Sequence, residues 1–445
     1  MARLLFIENR EKTYFWAEVA RRLAAMGHDI AWLVQNPVFA RALPGRRHLI
    51  PFPGRRELAR DLDLAAYPAL ATDRGREHFG AGHAHYAYYA ERIEAVIAAE
   101  APDVVLGEPT LFHELLALDV CERRGIPFAH PVGERYPDHR FAIFAGASQC
   151  PVIESGDRMD EAEALELAAR IADGRKIPTY IARAGRLAQL RARLRWAVTR
   201  SRVIAGRWRG ERYNTPSPRR KLALNRATGA NLEKWAAAAS VPAEPSLAIL
   251  YPLQMQPENT IDVWGRPDWD QIDIVRRILA ATPPAASVAL KANPKPYYEL
   301  SDRLLAFALA EPRVHLLPVG MNMVEALAAT TGAITITGTV GYEAVCGRGR
   351  CLSIAHPILT DEFPNFAAPS VEAAAARLLS DPVAGKGSPA EGARLLQRLT
   401  ARSFPGLVSD PVSQPECMAP ANLDEIARAT GLAIQKIGKS AATPA

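Results

Sequence analysis

Short apolar runs alternate with amphipathic stretches along most of this chain. Arg3 to Glu8 and Asp29 to Val34 have the composition of strands, and Thr13 to Met26 between them has helical periodicity. The alternation continues to about residue 150 and resumes at Leu247. Parallel strands are usually joined by helices that cover both faces of the sheet, so this pattern predicts an α/β fold with parallel sheets.

The length of the chain and the break in its alternation predict more than one domain. We expect a Rossmann-like domain over residues 1–150 and a helical, Arg-rich insertion with a linker over 151–240. A second Rossmann-like domain is expected over 241–388, followed by C-terminal helices and a tail over 389–445.

Several familiar classes lose their main sequence support. No G-x-G-x-x-G follows the first strand, and no P-loop, G-x-S-x-G or H-E-x-x-H is present. The five cysteines have no paired spacing, so neither a disulfide framework nor a zinc site is expected. Charge appears early in the first residues and no apolar run has transmembrane length, so we expect a cytoplasmic protein. We also expect that it needs no metal and no cofactor.

One segment makes the protein basic. Between Arg183 and Arg226 there are 14 Lys and Arg residues and a single acid, Glu211, whereas the whole chain has a net charge of only +6. Leucines and arginines fall on separate stripes of a predicted helix, and Trp196 and Trp208 add aromatic rings. This pattern favours a helix on an anionic membrane surface, and the alternative is a helix packed on its own protein with arginines in water.

Residues 333–343, AITITGTVGYE, predict a strand that turns directly into a helix. Gly338 permits an unusual backbone angle, Thr339 is a suitable N-cap, and the first helical amides would favour a phosphate. Glu343 would lie one turn into the helix, within reach of ligand hydroxyls. An ordinary strand-to-helix turn explains the same residues.

Two further loops are predicted at the carboxyl ends of strands in the second half, at Tyr251–Asn259 and Lys291–Pro296. Ends of parallel strands share one edge of a sheet, so these loops should meet the turn at Thr337–Thr339 in one cleft. Lys291 would supply a compact positive charge, and the combination predicts a phosphate-bearing ligand.

Carboxylates at loop positions are the candidate catalytic groups. Glu258 is the leading candidate, and Glu108, Glu134 and Asp262 follow it; a structural role for Glu258 is the open alternative. Glu134 belongs to the charged loop 130–140, HPVGERYPDHR, where Arg135 and Arg140 are candidate acceptor contacts.

Five stretches of this sequence resemble the capsule polysaccharide synthesis family, whose better-known members transfer Kdo from CMP-Kdo to lipid-linked acceptors and are similar to GT-B glycosyltransferases. The stretches are Phe6–Pro37, Pro102–Phe128, Tyr251–Asn259, Lys291–Pro296 and Ile336–Pro357. The resemblance implies two Rossmann-like domains with parallel sheets facing a central cleft. It also implies that Thr337, Gly338 and Thr339 hold the nucleotide phosphate and that Glu343 binds the ribose.

One position departs from the family. Its members usually have His-Pro where this chain has Asn293-Pro294, and that histidine is expected to contact the donor phosphate. Asparagine can donate a hydrogen bond but carries no charge and cannot transfer a proton. Compensation by Lys291, a donor other than CMP-Kdo, and weakened activity all remain open.

These observations lead to two main hypotheses. The first is a metal-independent glycosyltransferase that uses a nucleotide-sugar, with a CMP-Kdo-like donor favoured, and a lipid-linked or polysaccharide acceptor at the anionic inner membrane. The second is a non-catalytic nucleotide- or glycan-binding component of a capsule assembly or export complex. Nucleic acid is not an expected partner, because the arginine segment lacks the usual recognition motifs.

Overall fold

A computed structural model shows the chain as two compact units and describes residues 1–7, 10–176, 186–209 and 211–441. The first unit comprises Met1–Asp157, Ala182–Ser217 and Thr400–Ala445, and the second comprises Arg158–Ile181 and Pro218–Leu399.

A seven-stranded sheet forms the centre of the first unit. Numbered along the chain, its strands are β1 (Arg3–Ile7), β2 (Asp29–Val34), β3 (Arg46–Leu49), β4 (Val104–Gly107), β5 (Phe128–Gly133), β6 (Arg140–Ala145) and β12 (Phe404–Pro405). Their order is β12-β6-β5-β4-β1-β2-β3. Strands β1 to β5 pair in parallel, and β6 and β12 extend the sheet with antiparallel pairs.

The helices of the first unit are α1 (Lys12–Ala25), α2 (Tyr86–Glu100), α3 (Phe112–Arg124), α5 (Arg186–Arg207) and α15 (Pro420–Ala441). Every residue of β1 from Leu4 to Ile7 is buried, as expected for a strand covered on both faces. Helix α1 presents Phe15, Val19 and Leu23 to the core at the predicted spacing.

Two local predictions in the first unit need correction. The sequence of Arg55–Ala66 predicts a helix, but the structure has two isolated 3₁₀ turns there, at Glu57–Ala59 and Leu64–Ala66, and neither turn has a buried residue. Without an apolar face to bury, helix propensity alone does not stabilise a short helix. The expected loop over 130–140 is shorter than predicted and covers residues 134–139, because β5 runs to Gly133 and β6 begins at Arg140, and the two strands form a hairpin.

The units divide the chain differently from the predicted ranges. The predicted insertion, 151–240, is shared between both units, and the predicted tail, 389–445, is cut near residue 400. Helix α15 packs on α1, and its buried residues, including Ile426 and Ile434, join the core of the first unit. Hydrophobic burial therefore brings the two ends of the chain into one unit.

The second unit has a five-stranded, wholly parallel sheet in the order β11-β10-β7-β8-β9. Its strands are β7 (Ala248–Pro252), β8 (Ser287–Lys291), β9 (Val314–Leu316), β10 (Gly332–Thr335) and β11 (Cys351–Ser353). The two-sheet α/β prediction is confirmed, and the facing of the two sheets across a cleft stays a prediction.

The helices of the second unit are α4 (Glu161–Ala172), α6 (Pro218–Ala237), α7 (Asn259–Asp262), α8 (Gln271–Ala280), α9 (Asp302–Ala310), α10 (Met323–Ala328), α11 (Val340–Val345), α12 (Pro357–Glu362), α13 (Val371–Ser380) and α14 (Pro389–Arg402). Helix α14 extends three residues past Leu399, where the second unit ends. Helix α8 begins directly after Asp270, whose carboxylate accepts hydrogen bonds from the amides of Ile272 and Asp273 at 3.0 and 3.4 Å.

Each sheet has a point where its strand order reverses. In the first unit the chain runs from β1 outward to β3 and then returns to place β4 on the other side of β1. In the second unit the reversal lies between β7 and β10. Open α/β sheets bind ligands outside the carboxyl ends of the strands at such points, so these two positions are the natural places for functional groups.

Candidate functional site

Three chain segments follow neighbouring strands at the carboxyl edge of the second sheet. We call them the β7 loop (Leu253–Glu258), the β8 loop (Ala292–Ser301) and the β10 turn (Ile336–Thr339). The sequence placed all three at strand ends, and the strands that carry them are adjacent in the sheet.

Gln254 joins the β7 loop to the β10 turn across the strand-order reversal. Its side-chain oxygen accepts from the backbone amides of Ile336 and Thr337, both at 3.2 Å, and its amide nitrogen donates to Thr337 Oγ1 at 2.8 Å. The Thr337 hydroxyl in turn donates to the carbonyl oxygen of Thr260 at 2.9 Å. All of these side chains are buried, so the bonds fix the shape of the turn.

A second buried side-chain amide, that of Gln271 at the start of α8, forms hydrogen bonds to the β7 loop. Its oxygen accepts from the Gln254 amide at 2.8 Å, and its nitrogen donates to the Gln254 carbonyl at 2.9 Å and to Gln256 Oε1 at 2.8 Å. Gln256 then donates to Asp262 at 2.7 Å. The Asp262 carboxylate also accepts a hydrogen bond from the backbone amide of Glu258 at 3.0 Å. Asp262, one of the candidate catalytic residues, therefore stabilises the end of the β7 loop.

Glu299 joins the β7 and β8 loops. Its carboxylate accepts from the backbone amides of Tyr297, at 3.0 and 3.1 Å, and of Gln256, at 3.3 Å. Burial raises the pKa of Glu299 to about 7, although these backbone donors favour the charged form.

Lys291, the last residue of β8, is a buried cation at the same edge. Its side chain is 6% exposed, and burial lowers its pKa while the Glu325 carboxylate opposes that change. The ammonium makes a long hydrogen bond of 3.4 Å to the Ala292 carbonyl, and no acid within ion-pair distance of it occurs in the described parts of the chain. Buried ammonium groups are normally paired, so this one is suited to a bound anion.

Asn293 has a local structural role. Its side-chain oxygen accepts from the Lys295 amide at 2.9 Å, which stabilises the turn of the β8 loop. Phosphate oxygens accept hydrogen bonds, so the Asn293 side-chain oxygen, which is also an acceptor, cannot bind them. The predicted nucleotide contact would therefore use the side-chain nitrogen of Asn293.

The β10 turn has the predicted position but different local reasons. Gly338 does not adopt a positive φ; a Cβ there would lie 2.3 Å from Thr335 Oγ1, which accepts from the Gly338 amide at 2.9 Å. Close approach, rather than backbone angle, requires the glycine. Thr339 precedes α11 as predicted, but its side chain makes no capping bond, and α11 has only six residues.

Glu343 is buried and forms an ion pair with Arg348 at 2.7 Å. Arg348 also donates to the carbonyl oxygens of Ile171 and Ala172 at the end of α4. One carboxylate oxygen of Glu343 is therefore committed to the fold, and its predicted contact with a ribose stays a prediction.

Glu258 lies at the end of the β7 loop and precedes α7. It is partly exposed, and its carboxylate accepts from Thr260 Oγ1 at 3.1 Å. The structure therefore places this leading catalytic candidate at the same edge as Lys291 and the β10 turn, in agreement with the predicted grouping of the loops.

In the first unit an ion pair spans the strand-order reversal. Lys12, at the start of α1, donates to Glu108, which directly follows β4, and both side chains are partly exposed. Burial opposes ionisation of Glu108, but the charges of Lys12 and His130 hold its pKa below the usual value. A carboxylate with a lowered pKa is a weak general base, which makes Glu108 better suited to binding than to proton transfer.

Glu134, immediately after β5, has the opposite electrostatics. Burial raises its pKa to about 7, and Arg402, Arg135 and Arg140 limit the rise. Its pKa is suited to a general base near neutral pH. Arg140 donates to Ser403 Oγ at 2.9 Å and to Asp157 at 2.5 Å, so it ties the hairpin to the C-terminal segment. Acceptor binding by Arg135 or Arg140 stays a prediction.

The sequence interpretation missed Gln254, Gln271, Glu299 and Lys12. Gln254 and Glu299 lie in loops and Gln271 begins a helix, and the burial of these polar residues has no pattern in the sequence. Only the prediction that strand ends meet at one edge offered a signal, because polar residues directly after such strands are then expected to bond across it.

Helix α5 confirms that the basic segment is helical from Arg186 to Arg207. Arg183 lies outside the described residues, as do the side chains of Leu187 and Leu190. Leu194, Val198 and Trp208 are 64, 54 and 71% exposed. In the described parts of the chain, no helix has the length and apolar character needed to span a membrane.

Comparisons with known proteins give distant structural matches. No family model and no curated protein matches the chain. Solved structures that match include a UDP-GlcNAc 2-epimerase from Methanocaldococcus jannaschii (14% identity, 89% of this chain and 99% of the other, TM-score 0.26) and the calicheamicin glycosyltransferase (13%, 98% of both chains, TM-score 0.25). A glycosyltransferase from Rickettsia africae matches at 9% identity over 98 and 99% of the two chains, with a TM-score of 0.28. All TM-scores lie below 0.5, so the fold is assigned from the sheets themselves.

Proposed function

We propose that this protein is a glycosyltransferase that uses a nucleotide-activated sugar. The observation that carries the proposal is Lys291, a buried ammonium without an acidic partner in the described residues, at the end of a central strand. It lies next to the strand-order reversal bridged by Gln254 and Thr337. A nucleotide phosphate supplies the negative charge that this position lacks.

In the proposed reaction an acceptor hydroxyl oxygen attacks the anomeric carbon of the donor sugar. The bond from that carbon to the nucleotide phosphate breaks, the phosphate leaves with the electron pair, and the hydroxyl proton passes to a carboxylate. Lys291 stabilises the charge on the leaving phosphate. Glu258, which lies at the same edge as Lys291, is the candidate base, and catalytic roles for Glu134 and Glu108 stay predictions.

Thermal unfolding with CMP, UDP, GDP and their sugars tests the binding part of this proposal. A nucleotide at a hundredfold its dissociation constant stabilises the folded protein by about 2.7 kcal/mol. We expect this stabilisation in the wild type and its loss in Lys291→Met. Lys295→Met, which replaces an exposed lysine of the β8 loop, is the control and should keep it. No response to any nucleotide, or an unchanged response in Lys291→Met, would refute the site.

The donor and the pathway are a finer part of the proposal. The resemblance to capsule polysaccharide synthesis proteins supports a CMP-sugar, with CMP-Kdo the first to try, and a role in capsule or envelope polysaccharide biosynthesis. A response to CMP but not to UDP or GDP, followed by sugar transfer to a lipid-linked or polysaccharide acceptor, is the expected result. A response to UDP alone would reassign the donor and leave the phosphate site intact.

A second candidate is a non-catalytic nucleotide- or glycan-binding component of a capsule assembly complex. Asn293 favours it, because the side-chain oxygen there completes a turn and the residue cannot transfer a proton. Tight CMP binding without turnover, unchanged in Glu258→Gln, would support this candidate. Loss of turnover in Glu258→Gln with nucleotide binding retained would support catalysis.

We also propose that α5 attaches the protein to an anionic membrane surface. The exposed apolar residues Leu194, Val198 and Trp208 are interspersed with the exposed Arg200 and Arg209, a composition suited to acidic headgroups. Phosphatidylglycerol vesicles should sediment the wild type but not a Trp208→Ser, Arg209→Gln variant, and phosphatidylcholine vesicles should sediment neither. Salt-sensitive binding to nucleic acid without binding to acidic vesicles would contradict this assignment.

A further inference from the structure

Residues Glu211–Thr215, which follow the basic helix α5, cross the carboxyl edge of the first sheet. We call this segment the latch. It contacts Arg10 after β1, Gln35 and Asn36 after β2, and His113 in the first turn of α3. These contacts lie around the strand-order reversal where open α/β sheets bind ligands.

The Glu211 carboxylate is held as a bound carboxylate ligand would be. Arg10 Nε donates to one of its oxygens at 2.6 Å, and Asn36 Nδ2 donates to the other at 2.8 Å. Thr215 Oγ1, within the latch, adds a bond of 2.6 Å. Glu211 is fully buried, and its negative charge offsets the burial of Arg10. The edge thus contains two donors spaced for a planar, two-oxygen anion.

Two further residues of the latch, Tyr213 and Asn214, contact the same edge of the sheet. Tyr213 stacks on the ring of His85, with centroids 3.9 Å apart and an interplanar angle of 4°. Asn214 Nδ2 donates to Gln35 Oε1 at 2.7 Å and lies 3.2 Å from His113 Nδ1.

Several buried polar atoms in the latch and beneath it have no hydrogen-bond partner among the described residues. They are His85 Nδ1 and Nε2, Tyr89 Oη, His113 Nε2 and Asn214 Oδ1, and all four residues are completely buried. Unpaired buried polar groups are unfavourable, and a segment that served only as permanent packing would be expected to satisfy or replace them. Their number indicates that the latch leaves polar groups of this edge unsatisfied.

We propose that this edge is a binding site for a carboxylate-bearing ligand, and that the latch occupies it with Glu211 in place of the ligand's carboxylate. A ligand that displaces the latch pairs with Arg10 and Asn36 and uncovers the face of His85. The orphaned nitrogens of His85 and His113 then become available to its hydroxyl groups. This inference concerns the first unit and does not depend on the nucleotide site proposed for the second.

Competition with a bound latch lowers the apparent affinity of such a ligand, because only the open fraction of the protein can bind it. Glu211→Gln removes the competing charge while keeping the side-chain shape. Glucuronate is the probe, and glucose, which has the same ring without the carboxylate, is its matched control. We expect calorimetry to show glucuronate binding about tenfold tighter in Glu211→Gln than in the wild type, with glucose unaffected.

Three results would overturn the proposal. They are equal glucuronate affinity in the wild type and Glu211→Gln, equal gains for glucose and glucuronate, and a gain for inorganic phosphate that exceeds the gain for glucuronate. The last result would identify a general anion site instead of a carboxylate site.

A second variant keeps every charge. Gly206, in the last turn of α5, is buried against Asn36, and a Cβ there would lie 2.0 Å from Asn36 Nδ2. Gly206→Ala should therefore push Asn36 away from Glu211 and speed amide exchange in residues 211–215 without ligand. Because Asn36 also belongs to the proposed ligand site, exchange and not glucuronate affinity is measured for this variant. Gly229→Ala in α6, where a Cβ meets nothing within 4 Å, is the matched control and should exchange as the wild type does.

Hydrogen exchange on the wild type decides the question if the variants do not fold. Saturating glucuronate should speed amide exchange in residues 211–215, and glucose should not. Unchanged or slower exchange in this segment with glucuronate bound would show that the latch stays in place and would overturn the proposal.

Discussion

At the scale of single residues, burial controls the charges at the candidate sites. Lys291 ends β8 and Glu299 lies in the loop that follows it; both are buried, and burial shifts the pKa of each in the direction that favours its uncharged form. Glu108 differs because Lys12, His130 and Arg74 together outweigh its burial and lower its pKa. The chemistry of each group therefore depends on its neighbours more than on its residue type.

Glu299 should make stability depend on pH. Its pKa in the folded protein, about 7, lies above the ordinary value of 4.5, so folding favours the protonated carboxyl. The resulting stabilisation is fully present below pH 4.5 and is lost as the pH rises through 7. We expect urea denaturation to show that Glu299→Gln gains stability relative to the wild type as the pH rises from 5 to 8.

The control for this prediction is Glu244→Gln, since Glu244 is exposed. Its stability should follow the wild-type pH profile throughout. Parallel profiles for Glu299→Gln and the wild type would show that Glu299 titrates near its ordinary value.

At the scale of elements, one side-chain contact bridges each strand-order reversal. Lys12 and Glu108 connect the segments after β1 and β4, and Gln254 and Thr337 connect those after β7 and β10. The first bridge is an ion pair that is partly exposed, so a ligand can compete with it. The second is buried and hydrogen-bonded, so it acts as a rigid support for the turn.

Gln254→Leu should loosen the β10 turn. The substitution leaves the buried amides of Ile336 and Thr337 without an acceptor, at a cost of about 1–3 kcal/mol each. Urea denaturation should show that loss, and nucleotide affinity should fall with it. Gln397→Leu is the control, because Gln397 makes a single bond of 3.3 Å to the Met159 carbonyl and should cost about 1 kcal/mol or less. Equal costs for the two variants would contradict the role of Gln254.

The elements that could be predicted were those with a buried apolar face. The periodicity of α1 and the apolar run of β1 placed both nearly to the residue. The stretch Arg55–Ala66 has helix-forming residues but nothing to bury, and it does not form a helix. In loop 130–140 the charged residues concealed a hairpin, because its strands are recognisable only from their pairing with each other.

At the scale of the whole molecule, the two units interleave along the chain. The first unit takes residues from both ends, and α15 supplies part of its core. The stability of the first unit should therefore depend on residues more than 400 positions from β1.

Ile426→Ala tests this dependence. Ile426 is completely buried in the core shared with α1, so its truncation should lower the free energy of unfolding by about 2–5 kcal/mol. Hydrogen exchange should locate the effect in β1 and leave β8 protected. Ile204→Ala, at a position 45% exposed in the same unit, should change stability by about 0.5 kcal/mol or less. Equal loss of protection in β1 and β8 would show that the units do not unfold separately.

By itself the sequence determined the α/β class, the two sheets, the position of the three loops at strand ends and the basic character of α5. These properties follow from local periodicity and composition, which can be read from short stretches of sequence without knowing what they pack against. Only the tertiary structure decided that Gln254 holds the β10 turn, that Arg348 takes one side of Glu343, and that Glu211 fills the edge of the first sheet. Each of these depends on contacts between residues distant in sequence, where burial makes an unpaired polar group costly and so selects its partner.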